Sequence, residues 1–427
     1  MGRDISMMYA DVSVEETAPD PVDEESCNSL VRDFNMAAMW AGLTAFVWYA
    51  FGALPLHLEV AGQLGLSAAE ASSWIFVVWF SGALTSIALS LYFRLPIPIT
   101  WTIPGLIYLG TLAGQFSFSE IVGANLMAGI AIVLLGIFGV GARIMAWLPL
   151  PIVMGMFGGS ILVYVTRMVA ASVEDVFVAG VTLASYLVGR LIANPRVPPM
   201  GLAVIVGGLA VFAFGETSTE VVAWTLPELA VPGLSFTVSS FVAVSLPMIV
   251  LAMGLGNVQG LGFLLSQDYR VPITTVTITT GLCSIANTFL GGHPATVART
   301  GAAILAGPDA GPKEGRYWAC VIAASLTIVI ALSAGALSSL LAILPRTFVV
   351  TLAGLAILSS LQSAFETAFG GKLWFGALAA FAVAATPFAV FGITSAFWSI
   401  LAGLVASLMV ERNDLFQFWG AAKEREI

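Results

Sequence analysis

Charge is what this 427-residue chain lacks: Asp, Glu, Lys and Arg make up 10% of it, against about 25% of a soluble globular domain. So few charges cannot solvate the surface of a water-soluble fold of this size. Histidine occurs twice, at His57 and His293, and cysteine three times, at Cys27, Cys283 and Cys320. Neither set has the spacing of a metal site, a redox pair or a disulfide framework, so no metal and no cofactor is expected. No nucleophile stands beside a base within the apolar stretches, which argues against an intramembrane enzyme. No basic run points to nucleic acid, and the acidic start, with no apolar stretch after it, does not read as a secretory leader.

What fills the chain instead is apolar: 59% hydrophobic residues and a mean hydropathy of +0.96. These values predict an all-α polytopic protein with the lipid bilayer as its surroundings. The formal charge of −9 gathers at the N-terminus, where residues 1–33 hold Asp4, Asp11, Glu15, Glu16, Asp20, Asp23, Glu24, Glu25 and Asp33 against Arg3 and Arg32. Without apolar periodicity, 1–33 reads as a solvated, disordered tail.

A span of the hydrocarbon core takes roughly 17–25 apolar residues. Such windows fall at 34–56, 71–93, 119–141, 149–169, 174–193, 200–214, 238–265, 272–290, 316–342, 345–364, 373–391 and 394–410. Two more segments, 97–114 and 293–307, are interrupted by proline and glycine, and counting both gives fourteen. With the N-terminus inside, Arg3, Arg32, Arg94, Arg143, Arg190, Arg196, Arg270, Lys313, Arg316, Lys372, Arg412, Lys423 and Arg425 fall on the cytoplasmic side. Arg167 and Arg346 fall outside and Arg299 within the membrane. Positive charge gathers in cytoplasmic loops, so this asymmetry supports both the count and cytoplasmic termini in a cell (inner or plasma) membrane.

A sparse internal repeat runs at an offset of 196 residues: Ala146-Trp-Leu-Pro149 with Ala342-Ile-Leu-Pro345, Gly158 with Gly354, Gly105 with Gly301, Pro98 with Pro294. It divides the chain into a first seven-segment repeat (34–214), an extracytoplasmic linker (215–237), a second repeat (238–410) and a cytoplasmic C-terminal tail (411–427). Seven is odd, so the second half is inverted. Inverted halves, each with a broken helix at the same place, point to a secondary transporter with its site near the midplane.

Fifteen helical residues from His293 to Gly307 would reach only about 22 Å, too short for a core of about 30 Å. A strand followed by a half-helix has the reach. Ala295-Thr-Val-Ala298 then forms the strand, and Thr300 caps the half-helix. In the partner segment Pro98–Ile103 forms the strand, Pro104 takes the first helical position, and Gly105 and Leu106 offer free N–H groups. Two strands meeting at the centre satisfy each other and aim two half-helix N-termini at one point, which attracts anions. Arg299 adds a full charge with forked donors suited to a carboxylate, since an intramembrane arginine usually faces a cavity. Asn257 and Gln259 are weighed evenly between a site and interhelical hydrogen bonding. Both histidines fall near outer ends of crossings, where a histidine is more often interfacial. His293 adjoins the broken segment as the candidate coupling residue, yet about 20 Å of strand separates it from Arg299, which makes direct coupling weak.

Two stretches carry a resemblance. "SSWIFVVWFSGALTSIALSLYFRLPIPITWTIPG" (Ser72 to Gly105) and "GPDAGPKEGRYWA" (Gly307 to Ala319) resemble the benzoate transporter family, which is related to uracil and sulfate permeases by a fold of seven plus seven inverted crossings. The resemblance implies a core of segments 1–4 and 8–11 moving against a gate of segments 5–7 and 12–14, with substrate between segments 3, 8 and 10. Where uracil permeases carry acids on segments 8 and 10, this chain has Met253 and Thr300, with Asn257 in place of a histidine; an arginine at 299 looks more like the sulfate permeases. The expected site is therefore Arg299, Thr300, Gly301, Asn257, Met253, Trp101, Thr102 and Gly105. The expected cargo is a small organic anion, an aromatic carboxylate such as benzoate, and the alternative is a sulfate-permease-like carrier or channel for inorganic or dicarboxylate anions. A homodimer is compatible with either.

Overall fold

The computed structural model describes residues 32–139, 141, 147–192, 198–215, 224–390 and 393–424; nearly all of the acidic tail lies outside them. In order, the described elements are α1 (Met36–Gln63), α2 (Ala68–Phe93), β1 (Ile99–Trp101), α3 (Ile103–Thr111), α4 (Phe118–Ile137), α5 (Leu150–Glu174), α6 (Val176–Ile192), α7 (Pro199–Phe214), α8 (Val238–Ser266), α9 (Ile273–Thr288), β2 (Ala295–Val297), α10 (Arg299–Leu305), α11 (Tyr317–Leu332), α12 (Ala334–Ile343), α13 (Arg346–Phe369), α14 (Trp374–Ala384), β3 (Ala389–Val390), β4 (Ile393–Thr394), α15 (Ser395–Val410) and α16 (Arg412–Glu424). Seven helices among the described residues are long and apolar enough to cross a membrane, or eight if the pair α15 and α16, bent by 108°, counts as one.

The local sequence explains the ends. Ser67 and Glu70 close a capping box at the start of α2, and Ser117 and Glu120 do the same for α4. Arg94 ends α2 in the left-handed region, after which Pro96 and Pro98 forbid further helix. Three expectations of extent change. The first helix runs on to Gln63 through Pro55 and so takes in Glu59, which is buried. The ninth apolar window, 316–342, breaks between Leu332 and Ala334 into two helices. The tail 411–427 holds helix α16, tied by the Lys372–Asp414 ion pair at 3.0 Å and by Trp419 donating to the Trp147 carbonyl.

Helices α1, α2, α4, α9 and α11 pack chiefly on one another, and α5, α13, α14 and α15 form a second group, with α6 against α7. Small residues make the second group close: a side chain at Gly155 or Gly159 would strike the Ala377 or Phe381 carbonyl.

β1 and β2 pair antiparallel inside the protein, with Thr100 opposite Thr296, residues that correspond at the sequence offset of 196. The Thr102 N–H donates to the Pro294 carbonyl and the Ala298 N–H to the Pro98 carbonyl. The outer edges are also paired, as buried backbone requires. Ser86 Oγ exchanges hydrogen bonds with both ends of Ile99, Ser284 Oγ accepts from the Ala295 N–H, and Asn257 Oδ1 accepts from the Val297 N–H at 2.8 Å. Gly256 and Gly260 let α8 lie on β2, because a Cβ at either would overlap Thr296 or Val297. After α10, the Arg316 guanidinium holds the carbonyls of Ala306 and Gly311, and Gly315 lies against Asp33 and Asn35 at the foot of α1. This accounts for the spacing of "GPDAGPKEGRYWA".

Candidate functional site

A cavity of about 1760 Å³ lies between the two helix groups. Its wall includes Trp48, Tyr49 and Leu56 of α1, Trp79 of α2, the strand residues Ile99, Thr100, Trp101 and Val297, Arg299 and Thr300 of α10, and Gln259 of α8. The opposite wall is α13, which contributes Ser359, Ser360, Ser363 and Thr367. Asp268 and Arg299 are the charged residues on this lining. Asp268 sits in the turn after α8, so Arg299 is the charge next to the strand pair.

Arg299 is exposed to the cavity, and its Nη1 donates to Ser363 Oγ at 3.1 Å, across from one helix group to the other. The ion pair found among the described residues does not involve it. Arg299 is the first residue of α10 rather than the residue before it. The cap position belongs to Ala298, which has no side chain to offer, so Thr300 does not cap as expected. No side chain caps the start of α10.

The two half-helix termini are not alike, contrary to expectation. At α3 the Gly105 N–H is taken by Thr102 Oγ1 at 3.2 Å and the Leu106 N–H by the Thr102 carbonyl at 2.8 Å. Met248 packs over Gly105, where a Cβ would meet its Cε at 2.8 Å. The α3 terminus is closed, and Thr102 and Gly105 are absent from the lining.

Asn257 and Met253 are also behind the wall. Asn257 is buried, accepts from Val297 N–H and Thr296 Oγ1, and donates to Thr280 Oγ1 and Met253 Sδ. Its hydrogen-bonding capacity is spent on holding β2. Gly301 lines nothing, but a Cβ there would lie 1.9 Å from Tyr49 Oη. Glycine thus brings the Tyr49 hydroxyl against the first turn of α10. That hydroxyl is buried and has no hydrogen-bond partner, although Tyr49 lines the cavity. Arg299, Tyr49 and the α10 terminus together present donors with few acceptors, an arrangement suited to an oxyanion.

Trp101 is 5% exposed and forms cavity wall with Trp79, their ring centroids 5.6 Å apart. Both histidines depart from the interfacial expectation. His57 and His293 are fully buried behind Trp101, 4.2 Å and 6.1 Å from it between ring centroids. Sequence reasoning passed over Tyr49 and the α13 hydroxyls, and weighed His57 as interfacial. The hydroxyls had a signal: "LSSLQSAFET" places Ser359, Ser363 and Thr367 on one helical face at the end of the apolar window 345–364. Tyr49 had none, because only its contact with Gly301 singles it out.

A family model described as benzoate membrane transport protein matches residues 32–409. An inner membrane protein of Escherichia coli K12, YdcO, is 28% identical over 379 residues, covering 87% of this chain and 96% of its own. The benzoate membrane transport protein of Acinetobacter baylyi is 27% identical over 383 residues, covering 88% and 96%. Among solved structures, the transmembrane domain of the cyanobacterial bicarbonate transporter BicA matches with a TM-score of 0.53 at 16% identity, over 88% of this chain and 96% of that one. The murine anion transporter Slc26a9 in its inward-facing state matches with a TM-score of 0.58 at 13% identity, over 97% and 76%. At these identities the structures share the fold.

Proposed function

Because the chain belongs to the benzoate membrane transport protein family, we propose that it is a secondary transporter that carries a small organic anion, an aromatic carboxylate such as benzoate, by alternating access. The observation that carries this reading is Arg299: a permanent cation at a helix start without a side-chain cap, on the wall of a cavity whose other charged lining residue, Asp268, lies in the turn after α8. Arg299, Tyr49 Oη and the α10 N–H groups hold the carboxylate, and Trp101, Trp79 and Leu56 accept the ring. The chain crosses the membrane fourteen times as two inverted repeats. The group built on α1, α2, α4, α9 and α11, with the strands, moves as a core against the gate built on α5–α7 and α13–α15, and the Arg299–Ser363 hydrogen bond is one contact the movement breaks. With cytoplasmic termini, the part of the lining at Ser266, Asp268 and Thr367 lies towards the inner side.

The second reading, a carrier of inorganic or dicarboxylate anions, draws on the likeness to BicA and Slc26a9 and on the charge at Arg299, which a compact oxyanion would satisfy equally well. A thermal-shift screen on the purified protein separates them, since a ligand of the native state raises the unfolding midpoint by mass action. Benzoate should raise it while an excess of sulfate, bicarbonate or fumarate neither raises it nor removes the benzoate shift. A shift with sulfate or bicarbonate and none with benzoate would favour the second reading.

A further inference from the structure

The chain has two histidines, far apart in sequence, and the fold brings them together. His57 of α1 and His293, two residues before β2, have ring centroids 5.8 Å apart and no exposed surface. Trp74 Nε1 donates to His293 Nδ1 at 3.0 Å. The neutral ring therefore carries its proton on Nε2. His293 Nε2 and both nitrogens of His57 make no well-formed hydrogen bond; the nearest backbone groups are those of Thr102 for His293 and Ala53 for His57. Buried imidazole nitrogens without a well-formed hydrogen bond are costly, and a hydrogen bond donated from one ring to the other would relieve that cost.

We propose that His57 and His293 form one proton-binding pair, holding a single extra proton between them, whose occupancy is set by the anion in the cavity beside it. The proposal rests on the transporter reading and supplies the coupling site that reading lacks. Trp74, Trp79 and Trp101 surround His57 with ring centroids at 5.8, 6.0 and 4.2 Å, distances at which a cation over an aromatic face is stabilised. Trp101 and Trp79 are also cavity wall, so the pair lies one side chain behind the space where a bound ring and carboxylate would sit.

Glu59 lies two residues beyond His57, on another face of α1, and accepts from Gln63 at 2.6 Å. Glu70 and Glu120 cap their own helices through Ser67 and Ser117. Arg94 ends α2 beyond the strand entrance. α9 contributes the uncharged Asn287, whose Nδ2 donates to the His293 carbonyl. Arg299 stands at the far end of β2, on the cavity. No carboxylate among the described residues on these elements compensates a proton on the pair, so the compensating charge is the anionic substrate. Binding of the anion then favours the proton, and reciprocally the proton favours the anion.

The sign follows from this linkage. Between the pair's pKa without ligand and its higher pKa with ligand bound, substrate binding takes up close to one proton and the apparent dissociation constant rises by up to about tenfold per pH unit; outside that window the slope vanishes. A carboxylate ligand with pKa near 4 is fully ionised between pH 6 and 8 and contributes no slope there.

Because His57 and His293 are the only histidines in the chain, the untagged protein labelled with 15N-histidine gives two imidazoles to follow by NMR in membranes. The expected result is a joint titration of the two rings by one proton, moved to higher pH by benzoate. Calorimetry in buffers of different ionisation enthalpy should show proton uptake on benzoate binding, lost in His57→Gln and in His293→Gln. Binding heat with unmoved histidine signals overturns the pair while sparing the transporter reading. Proton uptake that persists in both variants also overturns it. If no small anion gives heat, the transporter reading fails, and the ligand-free titration still judges the pair: two rings titrating independently, or neither titrating between pH 4 and 9, refute it.

Discussion

Replacing Gly301 by alanine places a methyl group 1.9 Å from Tyr49 Oη, 3.1 Å from Ala298 Cβ and 3.2 Å from Tyr49 Cζ. An ordinary contact needs about 3.5 Å, so the hydroxyl must retreat by about 1.5 Å. Tyr49 is 7% exposed and packed against Trp48, which leaves the ring little room. Overpacking of this kind costs about 1–3 kcal/mol, offset by up to about 1 kcal/mol because alanine is the better helix residue. The net expectation for Gly301→Ala is a loss of about 1–2 kcal/mol, read from the midpoint and slope of detergent-induced unfolding. Tyr49→Phe in the same chain removes the oxygen and leaves a contact that a shift of a few tenths of an ångström relieves. The double variant should therefore recover nearly all the loss, a coupling of about 1–2 kcal/mol between the sites. It should not recover benzoate binding, because the hydroxyl is one of the proposed donors. Equal destabilisation of the single and double variants would refute the contact, and full benzoate affinity in the double variant would remove Tyr49 from the site.

Asn257→Ala should cost about 2–3 kcal/mol of stability, because it strands the buried Val297 N–H and removes the partner of Thr280; a variant as stable as the parent that has lost only anion affinity would return Asn257 to the substrate. Trp101→Ala should weaken aromatic acids far more than small anions, checked by competition binding, whereas equal loss for both would mark Trp101 as packing alone.

The prolines and the shortness of 97–114 and 293–307 carried the strand-and-half-helix geometry, because a proline run and a reach deficit are local facts. Arg299 stood out for the same reason: a charge is conspicuous in an apolar window. What stayed hidden depends on contacts between distant segments. Thr102 closes its own helix start and Met248 seals it, an asymmetry between the halves that the repeat itself cannot report. Asn257 read equally well as ligand or hydrogen-bonding strut until the edge of β2 was in view. His57 looked interfacial because the first helix was ended at residue 56, when in fact it continues to Gln63 and carries His57 and Glu59 into the protein.

The central claim, that Arg299 holds the anion, is tested most directly by the affinity of Arg299→Gln for benzoate, measured by calorimetry on protein whose unfolding midpoint shows it to be folded. A charge-assisted hydrogen bond is worth about 1.5–3 kcal/mol, so the dissociation constant should rise by about 10- to 150-fold, with folding unimpaired because an expensive charge has been removed from the membrane interior. A folded Arg299→Gln protein that binds benzoate as tightly as the parent would contradict the account.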